Sequence, residues 1–206
     1  MKIHTRFPVT VCLMLLVVYG SPLSASGPPT SVAHQQRSGL EDNAELRRMY
    51  EADQSARQSV DDIDWTQLMA EDERRRQRVM EMAEEGLIKT AADHYHAAMI
   101  LQHGNGSEDY KMAHELASEA VRMDPAHKSA RWLSCAAEDR WLHSLGKAQI
   151  WGTQFRREDM DSPWTMEPFD RDAKTDQERI ACGVRTLEES MQRLDEMNRR
   201  LEEKKP

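Results

Sequence analysis

From Glu41 onward, apolar residues recur at the three- and four-residue spacing of amphipathic α-helices, and this pattern constrains the fold more than any other feature. Capping signals divide the pattern into separate helices. Asp64 precedes Gln67 by three residues, which is the capping-box spacing of a helix N-terminus, and Gly86 is a typical C-terminal stop. The sequence therefore predicts an all-α fold, a compact antiparallel helical bundle, in a single helical domain over residues 41–204. The predicted helices cover about residues 41–58, 64–85, 90–103, 107–123, 124–146 and 175–201, the last with a break at Gly183.

One segment departs from the helical pattern. Residues 149–155 and 164–166 are short β-permissive runs on either side of a charged stretch. The sequence predicts a small β-ribbon or an ordered loop near residues 147–170. Four of the five tryptophans lie between positions 132 and 164, so this region is where we expect a functional site.

The N-terminus has the composition of a secretory signal peptide. A basic start is followed by an almost uniformly apolar run over residues 9–19, and then by the small residues Ser24-Ala25-Ser26. The apolar run is about a dozen residues, shorter than the ~20 that a spanning helix needs. We expect a signal peptide over residues 1–26, a flexible leader over 27–40, and a periplasmic or secreted protein with no membrane span after cleavage. An uncleaved N-terminal anchor is the alternative.

Charge and cysteine content narrow the function classes. The formal net charge is -8, and it becomes -10 once residues 1–26 are removed, because that segment carries two basic residues and no acidic one. Nucleic-acid-binding proteins present a basic face, so we expect no nucleic-acid partner. Cys135 and Cys182 remain in the mature chain. An oxidising compartment permits a disulfide between them, and two buried free thiols are the alternative.

The third and fourth predicted helices, with the start of the fifth, resemble a tetratricopeptide repeat. Ala113, Ala120 and Pro125 keep the small-residue and proline spacing of the second helix of that repeat. The first helix is shorter than in the repeat, because residues 104–106 (Gly-Asn-Gly) end it. No second copy follows at the repeat period of about 34 residues. The resemblance implies one antiparallel helix pair and no solenoid.

A second resemblance covers most of the mature chain and rests on five short motifs in a fixed order. The motifs are Asp53-Gln54 with Arg57, Gln102-His103, Asp139-Arg140, Gln149 with Gly152-Thr153-Gln154, and Asp176 with Arg179 and Gly183. In this order they look like a bacterial family known only as a domain of unknown function, with Trp151 in place of the usual tyrosine. The resemblance implies a helical fold and a candidate site, without an established activity.

Motifs with a known catalytic or cofactor chemistry do not occur in the sequence. It contains no G-x-S-x-G, H-E-x-x-H or C-x-x-C motif and no phosphate-binding glycine loop. We therefore predict no cofactor and no metal site. His94 and His96 are two residues apart and lie on different faces of a helix. His96 and His103 share a face but lie about 10 Å apart along the axis, too far to bind one ion.

The adjacent charged residues Asp139 and Arg140 occur among the apolar residues of the fifth predicted helix. They lie between the pair Ala136-Ala137 and Trp141, and burying either charge without a partner is costly. In one interpretation they belong to a buried network that holds the segment after residue 147 on the bundle. In the other they form a polar pocket, in which Arg140 binds an anionic group and His103 or Asp139 moves a proton. The candidate catalytic residues are His103, Asp139 and Arg140, and the candidate binding residues are Asp53, Gln54, Arg57, Gln149, Gly152, Thr153 and Gln154.

Two functions follow from these patterns. The first is a non-catalytic exported protein that binds a protein or peptide partner through its helix-pair surface. The alternative is a small hydrolase or anionic-ligand-binding enzyme that uses the pocket around Asp139, Arg140 and His103. The charged run over residues 71–78 predicts a solvated helix face, because its opposite charges lie at helical neighbour spacing.

Overall fold

The computed structural model describes residues 40–58 and 63–203, and these residues form seven α-helices and no β-strand. The helices are α1 (Ala44–Ser55), α2 (Trp65–Glu84), α3 (Ala91–Gln102), α4 (Ser107–Met123), α5 (Lys128–Ser144), α6 (Asp176–Cys182) and α7 (Leu187–Glu202). The all-α bundle predicted from the sequence is confirmed. The predicted signal peptide, and all of the predicted leader except its last residue, lie outside the described residues.

Most helix starts follow the capping signals of the sequence. The Asp64 side chain accepts hydrogen bonds from the first turn of α2. Thr90 and Asp93 form a reciprocal capping box at the start of α3, as do Thr175 and Glu178 at the start of α6. These local bonds satisfy the N–H groups that a helix leaves unpaired at its first turn.

Two helices begin at a different residue from the one expected. The sequence predicts Ser107 as the N-cap of the fourth helix and Asp124 as the N-cap of the fifth. Ser107 is already the first residue of α4, and Gly106 occupies the cap position without a side-chain bond. Helix α5 begins four residues after Asp124, where the His127 ring accepts a backbone N–H. Asp124 instead closes the preceding turn with its own carboxylate.

Helix α4 lies at the centre of the bundle and packs against both α3 and α5. Four residues join each pair, so the neighbouring helices run antiparallel. Ala113, Ala117 and Ala120 of α4 are fully buried, and their small side chains let the helices approach closely. The main core cluster consists of Leu46, Val79, Met82, Ala97, Ile100, Leu101, Ala113 and Ala137.

The segment between α5 and α6 is an ordered loop, which is one of the two predicted forms. Its regular pairing is limited to two isolated bridges, a parallel one between Gln149 and Phe169 and an antiparallel one between Arg156 and Thr165. The bridges fold the loop back on itself, and buried Met166 and Phe169 face the protein interior.

A disulfide and a glycine fix the C-terminal helices. Cys135 of α5 and Cys182 of α6 are joined by a disulfide, with their Cα atoms 6.6 Å apart. Gly183 has a φ of 78°, a left-handed conformation that ends α6 and confirms the predicted break. No helix in residues 40–58 or 63–203 has the length and apolar content to cross a membrane.

Candidate functional site

The predicted site residues fall into two polar clusters. The first, here called the loop cluster, consists of Asp139, Gln149, Gly152, Thr153 and Gln154. The second, here called the histidine cluster, consists of Asp53, Gln54, Arg57 and His103, together with Asp72 and Arg75 of α2. Arg140 lies between the two clusters. The structure therefore divides a set of residues that the motif order placed together.

Asp139 organises the loop cluster. Its Oδ1 atom accepts hydrogen bonds from the backbone N–H groups of Ile150 at 2.7 Å and Trp151 at 2.8 Å. Its Oδ2 atom accepts from the N–H of Thr153 at 2.9 Å and from the hydroxyl of the same residue at 2.7 Å. Asp139 is fully buried, and this burial raises its pKa while the four donated bonds oppose the rise. The carboxylate thus holds the loop on α5.

Two glutamines complete the loop cluster. The Gln149 amide donates to the carbonyls of Gln154, at 2.9 Å, and Met166, and its oxygen accepts the Gln154 N–H at 2.9 Å. The Gln154 amide donates to the Ala136 carbonyl of α5 at 3.1 Å. Because both glutamines are buried and their amides are paired, this arrangement favours a structural role for them.

Gly152 allows the loop to turn beside Asp139. It has a φ of 75°, and a Cβ atom at this position would lie 2.8 Å from Cζ of Phe169. Only glycine combines this backbone conformation with such a close approach. The Gly-Thr-Gln sequence of the motif is therefore explained by backbone geometry as well as by hydrogen bonding.

The histidine cluster joins α1, α2 and the end of α3. The Nδ1 atom of His103 lies 2.9 Å from Oδ2 and 3.1 Å from Oδ1 of Asp53. Arg57 donates to Asp53 at 2.9 Å and to Asp72 at 2.6 Å. Arg75 donates to the other oxygen of Asp72 at 2.7 Å. The carboxylates of two helices are thus bridged by arginine, which is the geometry of charge-assisted hydrogen bonds.

Protonation in this cluster is set by burial and by the neighbouring charges. Burial lowers the pKa of His103, and Arg57 and Arg140 lower it further against the opposing effect of Asp53. Burial alone raises the pKa of Asp53, but its bonds to His103, Arg57 and Gln54 outweigh this and lower it. At neutral pH, His103 is therefore neutral and donates its Nδ1 proton to an ionised Asp53.

The structure corrects one expectation for α2. The sequence predicts that the charged run over residues 71–78 forms a solvated face, yet Asp72 and Arg76 within it are buried. They follow Leu68 and precede Val79 at helical spacing, so they lie on the buried face of α2. This helical spacing could have identified both residues as buried. The opposite charges at neighbouring positions of the same helix favour the solvated interpretation instead.

Arg140 connects the two clusters. Its Nε atom donates to the Gln154 side chain at 3.2 Å, and its Nη1 atom donates to the Gln102 carbonyl at 2.7 Å. The guanidinium also lies over the Tyr110 ring. Arg140 thus ties the loop to the end of α3. Asp139 bonds to the loop and His103 bonds to Asp53, so these three candidate catalytic residues use different partners.

An open cleft lies beside the loop cluster. Its volume is about 140 Å³, and it is lined by Trp132, Gly152, Thr153, Phe155, Gly183, Val184, Arg185 and Ser190. A shallow groove of about 500 Å³ runs along α7, and Arg185 borders both. Arg185 makes no hydrogen bond or ion pair with any residue of the described part of the chain. Of the residues that line the cleft, only Gly152 and Thr153 belong to the predicted site.

Within residues 40–58 and 63–203, no group of three or more His, Cys, Asp or Glu side chains is placed to hold a metal ion. No protein-family model, no curated protein and no solved structure matches the chain.

Proposed function

We propose that the protein is an exported, non-catalytic binding module that takes up a short segment of a partner polypeptide in the cleft beside the loop cluster. The size of the cleft carries this proposal. About 140 Å³ is less than the roughly 300–1,000 Å³ of small-molecule and cofactor sites. The space suits one side chain of a longer segment, whose remaining residues contact the surface outside.

The residues that line the cleft indicate which kind of side chain it would bind. Trp132 and Phe155 are half-buried aromatic residues, and Val184 is a buried apolar residue between α6 and α7. Arg185 is an exposed cation at the rim. These residues favour an apolar side chain next to a carboxylate. Tryptophan and arginine are also enriched among the residues that dominate binding energy at protein interfaces.

The cleft is built on rigid elements. Asp139 holds the Thr153 side of the cleft through hydrogen bonds to both the N–H and the hydroxyl. The disulfide between Cys135 and Cys182 ties α6 to α5 directly before Gly183, which also lines the cleft. A site that is already ordered loses less conformational entropy when a ligand binds. The loop cluster therefore supports binding by preorganising the cleft.

The groove along α7 offers a surface for the rest of the segment. Arg185, Gln192 and Arg199 line it together with Glu189 and Glu196, so charges of both signs alternate along the helix. A peptide anchored in the cleft near Arg185 would continue along this groove. Mixed charge at the edge of an interface contributes more to specificity than to affinity.

Export is the second part of the proposal. The signal-peptide pattern of residues 1–26 supports it, and a disulfide is typical of proteins from oxidising compartments. The tetratricopeptide-like pair, α3 and α4, would serve as the scaffold on which α5 and the loop are placed. A periplasmic or secreted partner protein is then the natural ligand.

A displayed library of short random peptides with free C-termini tests the proposal. We expect the wild-type protein to enrich sequences in which an apolar residue adjoins a carboxylate. Arg185→Gln and Phe155→Ala should each weaken binding of an enriched peptide at least about tenfold, a loss of ~1.4 kcal/mol. Arg48→Gln, which changes an exposed arginine of α1, is the matched control and should bind normally. Failure to enrich any sequence, or equal binding by all variants, would contradict the proposal.

A further inference from the structure

We infer that the segment taken up by the cleft is the free C-terminus of a partner polypeptide, and that Arg185 and Ser190 bind its terminal carboxylate. This inference rests on the proposed function, because it specifies which part of a partner the cleft recognises. The observations that carry it are two unpartnered polar side chains, the charge at the cleft and the position of the apolar wall.

Ser190 places an unused hydroxyl at the cleft. Only 1% of this residue is exposed, and it lines the cleft from α7. Its backbone N–H donates to the Thr186 carbonyl at 3.0 Å, but its hydroxyl has no hydrogen-bond partner within residues 40–58 and 63–203. Buried polar groups are almost always hydrogen-bonded in folded proteins. A polar ligand atom in the cleft would give this hydroxyl a partner.

Arg185 supplies the charge that selects this ligand atom. Its guanidinium is exposed and forms no ion pair or hydrogen bond with the described part of the chain. By contrast, Arg193 of the same groove pairs with Glu196 at 2.9 Å. Glu189 also lines the groove, but its carboxylate accepts the Thr186 N–H at 2.8 Å and does not pair with Arg185. A guanidinium in this position matches the planar shape of a carboxylate.

The walls of the cleft carry no competing negative charge. Among the described residues, those that line it are aromatic, aliphatic, hydroxyl-bearing or glycine, apart from Arg185. Asp139 bonds to Thr153 of the lining, but four donors of the loop occupy its two oxygens. A carboxylate in the cleft would therefore meet two available donors and no acidic side chain on the walls.

The apolar wall lies close to these donors. Val184 directly precedes Arg185 and lines the cleft with Trp132 and Phe155. In an extended peptide, neighbouring side chains point to opposite faces, so an acidic residue next to an apolar one would turn its carboxylate away from the cleft. A terminal carboxylate is instead attached to the same Cα atom as the last side chain. One terminal residue can therefore place both groups in a space of about 140 Å³.

The groove along α7 suits a peptide that ends in the cleft. Arg185 borders both the cleft and the groove, so a chain whose last residue lies at Arg185 can leave along α7. A C-terminus needs one such exit, whereas an internal segment needs two. Capture of a terminal carboxylate by fixed donors is a recurring mode of peptide recognition. The preceding residues of the partner would then lie against the mixed charges of α7.

Three forms of one peptide test the inference. The most enriched sequence from the displayed library is synthesised as the free acid, as the C-terminal amide, and with two glycines added after its last residue. We expect the amide and the extended form to bind at least about tenfold more weakly than the free acid, because each removes the carboxylate from Arg185 and Ser190. Isothermal titration calorimetry measures the three affinities.

Variants of the cleft locate the carboxylate. In Arg185→Gln, the free acid and the amide should bind within about threefold of each other, because the charge-assisted bonds are lost. Ser190→Ala removes only the hydroxyl and should lower the ratio of the two affinities about threefold. Arg199→Gln changes another exposed arginine of the groove, outside the cleft. It is the matched control and should keep the wild-type ratio.

The outcomes separate this inference from the proposed function. If the amide and the extended form bind as tightly as the free acid, the cleft binds internal segments, and the inference is wrong while the proposed function stands. If the wild-type ratio persists in Arg185→Gln, the carboxylate binds elsewhere and the inference is again wrong. If the library yields no enriched sequence, the proposed function fails and the inference fails with it.

Discussion

The loop cluster and the histidine cluster are both buried and polar, yet they are satisfied differently. Around Asp139, neutral donors occupy both carboxylate oxygens, and the result is a closed structure. Around Asp53, arginine bridges the carboxylates of α1 and α2, and the neutral ring of His103 adds a bond from the end of α3. Their pKa values follow this difference, because burial raises that of Asp139 while His103, Arg57 and Gln54 lower that of Asp53. The loop cluster is thus held together by neutral donors, whereas the histidine cluster depends on ion pairs and on the protonation state of His103.

The largest effect is expected at Asp139. Asp139→Ala leaves three partly buried N–H groups and the Thr153 hydroxyl without this acceptor, so the free energy of unfolding should fall by about 3–5 kcal/mol. Asp139→Asn keeps one acceptor oxygen and should lose less. Urea denaturation of both variants measures this. A loss below about 1 kcal/mol for the alanine variant would show that the loop cluster does not hold the loop.

The disulfide should give the next largest effect, and its effect should be confined to the loop side of the molecule. Cys135 and Cys182 are 47 residues apart, and closing a loop of this length contributes about 2–4 kcal/mol. Replacing both residues by alanine should lower stability by that amount. Hydrogen exchange should accelerate in α6 and the loop, while α1 and α3 remain protected. If hydrogen exchange accelerated equally in α1 and α3, the disulfide would stabilise both clusters alike, and this expectation would be wrong.

The smallest effect is a pH dependence that belongs to the histidine cluster. The pKa values of His103 and Asp53 are both lowered by folding, so the unfolded chain binds more protons below pH ~6.5. The stability is complete at neutral pH and falls on acidification, first through His103 and then through Asp53. His103→Asn should flatten the first part of this fall. An unchanged profile between pH 7 and 5 in that variant would argue that His103 does not titrate as described.

The sequence predicted local features of this fold better than distant contacts. Helix starts at Asp64, Thr90 and Thr175 depend on residues within one turn, and such signals are visible in the chain. The partner of His103 is 50 residues away, and the donors to Asp139 lie on a loop whose regular pairing is limited to two isolated bridges. No periodicity encodes contacts of that kind. Their partners emerge only when the helices pack.

The residues that line the cleft are also only partly predictable from the sequence. Gly152 and Thr153 were predicted site residues, but Trp132, Arg185 and Ser190 come from three other places in the chain. Trp132 and Ser190 have the helical spacing of packing residues, and Arg185 follows the turn after α6 as one charged residue among many. The cleft forms where the disulfide and Asp139 hold these segments on α5. No single motif of the sequence predicts the residues that line it.

The indole N–H signals of the tryptophans test the central claim most directly. Trp132 lines the cleft, whereas Trp65 is exposed at the start of α2 and serves as a reference in the same spectrum. When an enriched peptide is added, the Trp132 signal should shift and saturate together with binding, and the Trp65 signal should stay in place. A peptide that binds tightly without moving Trp132 would contradict the assignment of the cleft as the binding site.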